Sequence, residues 1–586
     1  MFAIFRKIGW YIKKNWVKYL FAILFLNIAS VISVLSPKLL EYGIDQIVNK
    51  TLTSDSLLML VIYFVLIIVG GYVSGYIWSY LLFGASIRLE HTIRKNFFRH
   101  LLRMDNKFYE EHVVGDLMAR ATSDLRTVSM TAGYGVLALV DSVFYLIFIL
   151  VMMFFTIDYR LTLVSIIPLP LAFVVVKILG DKIEGAFSKA QNAFSHLNNQ
   201  VLESVSGVRV VRAYVQEQHD INRLEKSAKQ AYDANVRVFK IDSLFGPLFR
   251  TVFSIAQIIA YGYGIYLIYN QQISPGQLAA FTVYIGMLSW PLIALGDTVN
   301  IMQRGNASYD RIQAILDEYP DVQDPEEPKD LGDEFQTLEV ENLYFRYPGG
   351  EQNVLENISF QLNKGETLGI VGKTGAGKTT ILRHLLKQYR PNDGQVLING
   401  IDIHEAKTED VRRFFGYVPQ EHILFKGTVK DNIAFGKENA TDEEIERAID
   451  LAAFRKDLKF LDHGLETIVG EQGVTLSGGQ KQRLSIARAF VLDPEILILD
   501  DSLSAVDGTT EKQILSNIKN ERSGKTTIIV AHRLSTVEHA DQIIVLDNGQ
   551  IVERGNHDEL MRLNGWYAKQ YLHQQMVRDE VTTDDN

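Results

Sequence analysis

About six stretches in the first three hundred residues are too long and too apolar for a water-exposed surface: 19–35, 57–83, 134–157, 161–179, 247–269 and 277–295. A chain crossing a bilayer must satisfy its backbone hydrogen bonds internally, and a helix of about 20 apolar residues does so over the hydrocarbon thickness. Such runs therefore commit this half of the chain to a helical, membrane-spanning domain of six spans. The third and fourth runs are separated only by a turn around Asp158 and Arg160, so they read as a tight helical hairpin. The mean hydropathy of the chain, +0.04, describes neither half, because the remainder is a charged, water-soluble sequence.

Lys and Arg set the orientation. The N-terminus (Arg6, Lys7, Lys13, Lys14, Lys18, with no acidic residue) and the segments 88–126 and 177–250 are rich in them, whereas 41–56 and 270–276 are nearly bare. By the positive-inside rule both ends of the chain face the cytoplasm. A basic N-terminus ahead of an apolar run also fits a secretory signal. This run continues past signal length, lacks a small-residue cleavage site and leads into further spans, so it reads as a retained anchor of a multi-pass membrane protein. The two basic connections are amphipathic and poor in Gly and Pro, which predicts that the membrane helices continue into the cytoplasm.

Two boundaries follow from the change in composition. Residues 1–316 form the membrane domain, 317–336 a linker that opens with the acidic, proline-rich DEYPDVQDPEEPKD, and 337–586 an α/β domain in which short β-rich runs alternate with helical ones. The formal net charge is −10 over 586 residues and the second half has no basic stripe, which argues against nucleic acid as a partner. There is no cysteine, and this removes disulfides, thiolate metal sites and a cysteine nucleophile.

In the second half, the apolar run Thr367-Leu-Gly-Ile-Val371 enters Gly372-Lys-Thr-Gly-Ala-Gly-Lys-Thr-Thr380 and then a helical stretch. This is G-x-x-x-x-G-K-[ST] in its strand–loop–helix setting. Gly372, Gly375 and Gly377, with Thr374, Ala376 and Thr380, let backbone N–H groups wrap the phosphates of ATP; Lys378 reaches the β- and γ-phosphates, and the Thr379 hydroxyl ligates Mg²⁺. A second apolar run, Ile496-Leu-Ile-Leu499, reads as a buried parallel strand and ends in Asp500. Ligands bind beyond the carboxyl ends of such strands, so Asp500 is placed to hold the Mg²⁺.

Between these two motifs lies Leu476-Ser-Gly-Gly-Gln480, which resembles the signature of ATP-binding cassette (ABC) proteins. Ser477, Gly478, Gly479 and Gln480 open a helix, where free N–H groups and the helix dipole attract phosphate. The resemblance implies that this element contacts the γ-phosphate of ATP held by a second cassette. Tyr347, in Tyr-Phe-Arg-Tyr-Pro, resembles the aromatic that stacks on adenine. Gln420, in Tyr-Val-Pro-Gln, resembles the glutamine that senses Mg²⁺ and nucleotide, and His532 the histidine that reads the γ-phosphate. Ser504-Ala-Val-Asp507 resembles the loop joining two cassettes across their interface, and Thr467-Ile-Val-Gly-Glu-Gln-Gly473 a string of the exporters. The stretches 115–125 and 206–214 look like the short helices that dock on the cassettes. Nearly the whole chain resembles half-transporters of the multidrug-resistance-like ABC exporters, including subunits of heterodimeric drug exporters.

One departure matters. The family's residue after the Mg²⁺-associated aspartate is a glutamate that polarises the attacking water; here it is Asp501. One methylene fewer withdraws the carboxylate by about 1.5 Å, and a misplacement near 1 Å costs on the order of a hundredfold in rate. The expectation is a chain that binds ATP, hydrolyses it poorly, and completes a competent site on a partner that carries the missing glutamate. The aromatic and methionine side chains of the spans (Tyr145, Phe148, Met152, Met153, Tyr261, Tyr263, Tyr284, Met287, Trp290) and the carboxylates Asp141 and Asp297 suit a cavity for lipophilic drugs, with packing and lipid contact as the plainer role for most of them. Lipid flippases and peptide exporters share every motif, and an ATP-gated channel differs in conducting ions.

Overall fold

The computed structural model describes residues 3–470, 476–504 and 506–584. They form two compact units, one of Met1–Leu101 with Gly115–Asp317, the other of Leu102–Val114 with Glu318–Asn586.

The first unit is entirely helical. Five of its helices are long and apolar enough to cross a membrane among the described residues: Trp16–Val48, Ser54–Leu101, Val114–Ile157, Glu217–Tyr269 and Pro275–Leu316. The fourth expected span is divided instead into Tyr159–Ile166 and Leu169–Ser206. Pro168 and Pro170 account for the break, since neither ring supplies an N–H to a preceding turn. Ser54–Leu101 has 48 residues and Glu217–Tyr269 has 53; at 1.5 Å per residue these are roughly 70–80 Å long, more than twice a hydrocarbon core. The basic segments are thus continuations of the apolar helices.

Small residues let the helices approach. A Cβ on Gly276 would sit 2.3 Å from the Glu41 carbonyl oxygen, and one on Gly305 would sit 2.1 Å from Thr131 Oγ1. Asp45 locks the first of these crossings, accepting from Ser274 Oγ at 2.5 Å and from the Gly276 N–H at 2.8 Å. Farther along, Asp124 is buried and accepts from Ser308 Oγ at 2.9 Å and from the Arg311 guanidinium. The third helix carries four π-helical turns, at Arg120–Asp124, Thr131–Gly135, Asp141–Tyr145 and Met152–Ile157.

Of the side chains considered for a cavity, Met153 and Tyr284 are fully buried in the packing of this unit, and the Tyr284 hydroxyl donates to the Val34 carbonyl at 2.8 Å. Tyr261 and Trp290 are exposed. Asp141 is buried and accepts from Trp290 Nε1 at 2.9 Å, while Asp297 is exposed.

The second unit holds two large sheets and a two-stranded one, Gly427–Thr428 with Ile468–Val469. Six strands run in the order Gln550–Gly555, Gln542–Asp547, Thr367–Gly372, Thr526–Val530, Ile496–Asp500, Phe415–Val418; all are parallel to their neighbours except the first, an antiparallel edge. An antiparallel sheet contains Leu355–Asn363, Thr337–Phe345, Asp393–Ile398 and Ile401–Asp402. Ile496–Asp500 and Thr526–Val530 are buried along their whole length, as expected of strands covered on both faces.

The acidic connection is more firmly held than an exposed linker would be. Lys107 pairs with Asp321 at 2.5 Å, the Asp321 and Val322 amides donate to Asp105, and Asp324 accepts from the Thr408 amide and hydroxyl. Leu331 and Phe335 are buried. The segment of the first half that joins the second unit is Leu102–Val114, just ahead of the stretch 115–125 singled out in the sequence; its short helix is Asn106–Glu111.

Candidate nucleotide site

Strand register gathers the sequence motifs at one sheet edge. Val530 is opposite Ile370 on one side and Asp500 on the other, and Val418 is opposite Leu499. Gly372, Asp500, Gln420 and His532 therefore all leave the sheet at its carboxyl end. The next strand of this sheet in the chain, Phe415–Val418, lies three places away from Thr367–Gly372, and the loop opens at the carboxyl ends of the parallel strands, where α/β sheets bind ligands.

The loop needs its glycines. Gly375 and Gly377 have φ of +83° and +95°, and a Cβ on Gly377 would meet the Val354 carbonyl oxygen at 2.9 Å. Only glycine takes up that left-handed, tightly packed backbone without strain. The helix Lys378–Leu385 then starts immediately, with Lys378 buried and its Nζ donating to the carbonyls of Gly372 at 2.9 Å and Lys373 at 2.8 Å. Burial pushes the Lys378 ammonium down, while Asp501 and Asp500 pull it back up.

Thr379 Oγ1 donates to Asp500 Oδ1 at 3.2 Å, and Tyr417, which the motifs do not mark, donates its hydroxyl to Asp500 Oδ2 at 3.3 Å. Burial raises the Asp500 carboxyl, hydrogen bonds from Thr379 and Tyr417 lower it, and the Asp501 charge raises it further. Asp500 ends a strand that is buried along its whole length, and is itself only 1% exposed. A hydroxyl and a single carboxylate side by side are the protein share that Mg²⁺ takes when phosphates and water fill its other positions; no cluster of three or more His, Cys, Asp or Glu able to hold a metal exists among the described residues.

Asp501 adopts φ +47°, with its amide donating to Val530 O at 2.9 Å. It is half-buried, and its charge acts on Lys378 and on His422. Gln420 and His532 are exposed; the His532 carbonyl accepts from Gln574 Nε2 at 3.0 Å. Tyr347 follows the strand Thr337–Phe345 of the other sheet, and its hydroxyl lies 3.1 Å from Thr380 Oγ1.

The signature stands apart in its bonding. Ser477 caps the helix Gly478–Val491: its Oγ accepts from the Gln480 amide at 3.3 Å, and Gln480 Oε1 accepts from the Ser477 amide at 2.9 Å. Gly478 and Gly479 form the first turn, and Gly478 has open space where a Cβ would be. In Ser504-Ala-Val-Asp507, Asp507 caps the helix Gly508–Glu521 by accepting from Thr510, and Ala505 lies outside the described residues. So do Glu471, Gln472 and Gly473 of the string at 467–473.

Residues 19–292 match the ABC transporter transmembrane region, and residues 355–504 match the ABC transporter family. Over 580 residues, 99% of each chain, the sequence is 47% identical to a Bacillus subtilis (strain 168) protein described as probable multidrug resistance ABC transporter ATP-binding/permease protein YheI. The chain belongs to the multidrug-resistance-like ABC exporters. It is thus a multi-pass membrane protein and an ABC-type ATPase that binds ATP and couples it to transport. The multidrug resistance-like ATP-binding protein MdlA of Escherichia coli (strain K12) is 40% identical over 582 residues, covering 99% of this chain and 98% of that one. Among solved structures, a bacterial Atm1-family ABC exporter with ATP bound superposes with a TM-score of 0.78 at 25% identity, covering 96% of this chain and 98% of that one.

Proposed function

We propose that this exporter is one subunit of a heterodimer that expels hydrophobic, drug-like molecules. Six spans with cytoplasmic termini carry the substrate path, and the partner is a second half-transporter with glutamate at the position of Asp501. The carrying observation is the contrast at residues 500 and 501. Asp500 is engaged by both Thr379 and Tyr417, while the next side chain is an aspartate on a backbone turned to φ +47°. Thr379 and Asp500, side by side at 3.2 Å, would hold Mg²⁺ with Gln420 as its sensor, and the ion would neutralise phosphate charge. Lys378 and the loop amides orient the triphosphate, Tyr347 stacks on adenine, and His532 faces the γ-phosphate. Asp501 stands too far back to polarise water efficiently.

The signature, capped by its own helix through Ser477 and Gln480, completes the partner's site, as the partner's completes this one. ATP has differential affinity for the closed pair of cassettes, which biases the helices of the membrane unit between inward- and outward-open states. The relatives' names, multidrug resistance and multidrug resistance-like, support lipophilic small molecules as cargo. The test is ATP-dependent uptake of a lipophilic cationic dye into inverted membrane vesicles. Uptake is expected from cells co-expressing this chain with a glutamate-bearing half-transporter and from neither chain alone; dye uptake by this chain alone, or ATP-dependent ion current without uptake, overturns the reading.

A further inference from the structure

Glu110 has no place in the nucleotide motifs, yet it is tied to them by a chain of polar contacts within the second unit. It lies on the short helix Asn106–Glu111. Its Oε1 accepts from Tyr389 Oη at 2.5 Å and from Arg383 Nη1 at 3.3 Å. The same Arg383 nitrogen donates to the Tyr347 hydroxyl at 3.1 Å, and that hydroxyl is 3.1 Å from Thr380 Oγ1 in the phosphate loop. The guanidinium carbon also lies 5.9 Å from the centre of the Tyr347 ring and 6.0 Å from that of Tyr389, and the two rings meet edge-to-face at 5.5 Å. Arg383 is thus fixed from three sides, and its own grip fixes the Tyr347 ring plane.

We propose that Glu110 is a positioning residue for the adenine platform: through Arg383 it sets the orientation of Tyr347, and it thereby links the base of the nucleotide to the segment Leu102–Val114. This inference rests on the reading that Tyr347 stacks on adenine. Its physical content is directional. Both contacts fall on one tip of the guanidinium fork, Nη1; with Glu110 neutralised that tip loses its charged acceptor, and the rigid, planar fork is free to turn and the tyrosine with it. Leu102–Val114 is continuous in the chain with the long helix ending at Leu101 and with the helical stretch beginning at Val114. A base-dependent change at Glu110 is therefore delivered by covalent connection.

A bystander carboxylate makes the opposite prediction. Removing a negative charge near an anionic ligand strengthens that ligand's binding, whatever its base. Positioning instead requires weaker binding, and only where there is a base to stack. Arg383 and Glu110 are each between a third and a half exposed, so the effect is modest, roughly three- to tenfold.

The experiment is isothermal titration of the purified full-length chain with MgATP and with Mg-tripolyphosphate, which has no base. Glu110→Gln and Tyr347→Phe should each raise the Kd for ATP roughly three- to tenfold, leave tripolyphosphate within about twofold, and combine with no further loss. Arg383→Lys, which keeps the charge and loses the fork, should behave as Glu110→Gln does, and it serves if that variant does not fold. Glu110→Asp should recover part of the affinity. Hydrogen–deuterium exchange at 105–112 should slow on adding ATP to the wild-type chain, and not on adding tripolyphosphate. Tighter ATP binding by Glu110→Gln, equal losses for both ligands, additive single variants, or equal exchange with both ligands would each overturn the proposal. Tyr347→Ala separates the two readings. Wild-type ATP affinity in that variant removes the adenine assignment, whereas a loss in Tyr347→Ala with none in Glu110→Gln removes the positioning role alone.

Discussion

The phosphate loop and the signature helix differ in how they are finished. In the phosphate loop, Lys378 is folded onto the carbonyls of Gly372 and Lys373, Thr379 reaches Asp500, and Tyr417 reaches Asp500 from the far strand. Among the described residues the signature has its capping box, Ser477 and Gln480 bonding each other's amides, with Gly478 open where a side chain would be. The first is a preassembled binding site; the second is an exposed helix start with free donors. On the proposed function one chain would hold half of each of two sites, and Asp501 would make the halves unequal in quality.

The largest effect that would break this comparison is expected at the signature. Ser477→Arg in the co-expressed pair places a long side chain where phosphate must approach, and it should lower steady-state ATPase at least about a hundredfold. ATP binding to this chain's own phosphate loop should stay within about twofold. Comparable loss of binding at that loop would mean that the two regions are not separate.

Next comes the loop itself. Lys378→Ala removes the cation that both carbonyls hold and that faces the phosphates, and should weaken ATP binding to this chain roughly ten- to a hundredfold. Titration calorimetry of the single chain measures it. Turnover by the pair should fall far less than with Ser477→Arg, since the hydrolysing site borrows only this chain's signature.

Much of this was legible in the sequence, for a physical reason. The phosphate loop, the Asp500 strand and the signature are contiguous strings whose function depends on local backbone shape. Contacts between distant segments leave no such trace. Tyr417 and Asp500 are 83 positions apart and Glu110 and Tyr389 are 279, and neither tyrosine sits in a periodic pattern. Hydropathy averages over Pro168 and Pro170, so the division of the fourth expected span at 167–168 leaves no trace in it. The acidic linker's contacts are equally silent, because its partners, Lys107 and Thr408, lie some two hundred residues before it and eighty after it.

A smaller effect is expected at the short helix Val208–Ala213, which buries none of its residues within the unit. Replacing Val210 and Val211 with Asp should reduce dye transport by the pair roughly tenfold while ATP binding stays within about twofold. Intact transport would show that this helix carries no coupling.

Smallest is the cap at Asp507. Hydrogen bonds from Thr510 hold its carboxyl down at about 2. Because the folded value is depressed below an ordinary aspartate near 3.9, its contribution is complete above about pH 4 and is lost as pH falls through about 2. Asp507→Ala should lower the melting temperature by about 2 °C, equally at pH 7 and pH 5. A difference between those two pH values would reject the assignment.

The central claim is the inequality of the two ATP sites, and steady-state ATPase with Asp501→Asn tests it most directly. In the co-expressed pair the substitution should change turnover by less than about threefold, and this chain alone should show little hydrolysis with either residue. Robust ATPase by this chain alone, falling to background with Asp501→Asn, would establish Asp501 as a working base and contradict the account.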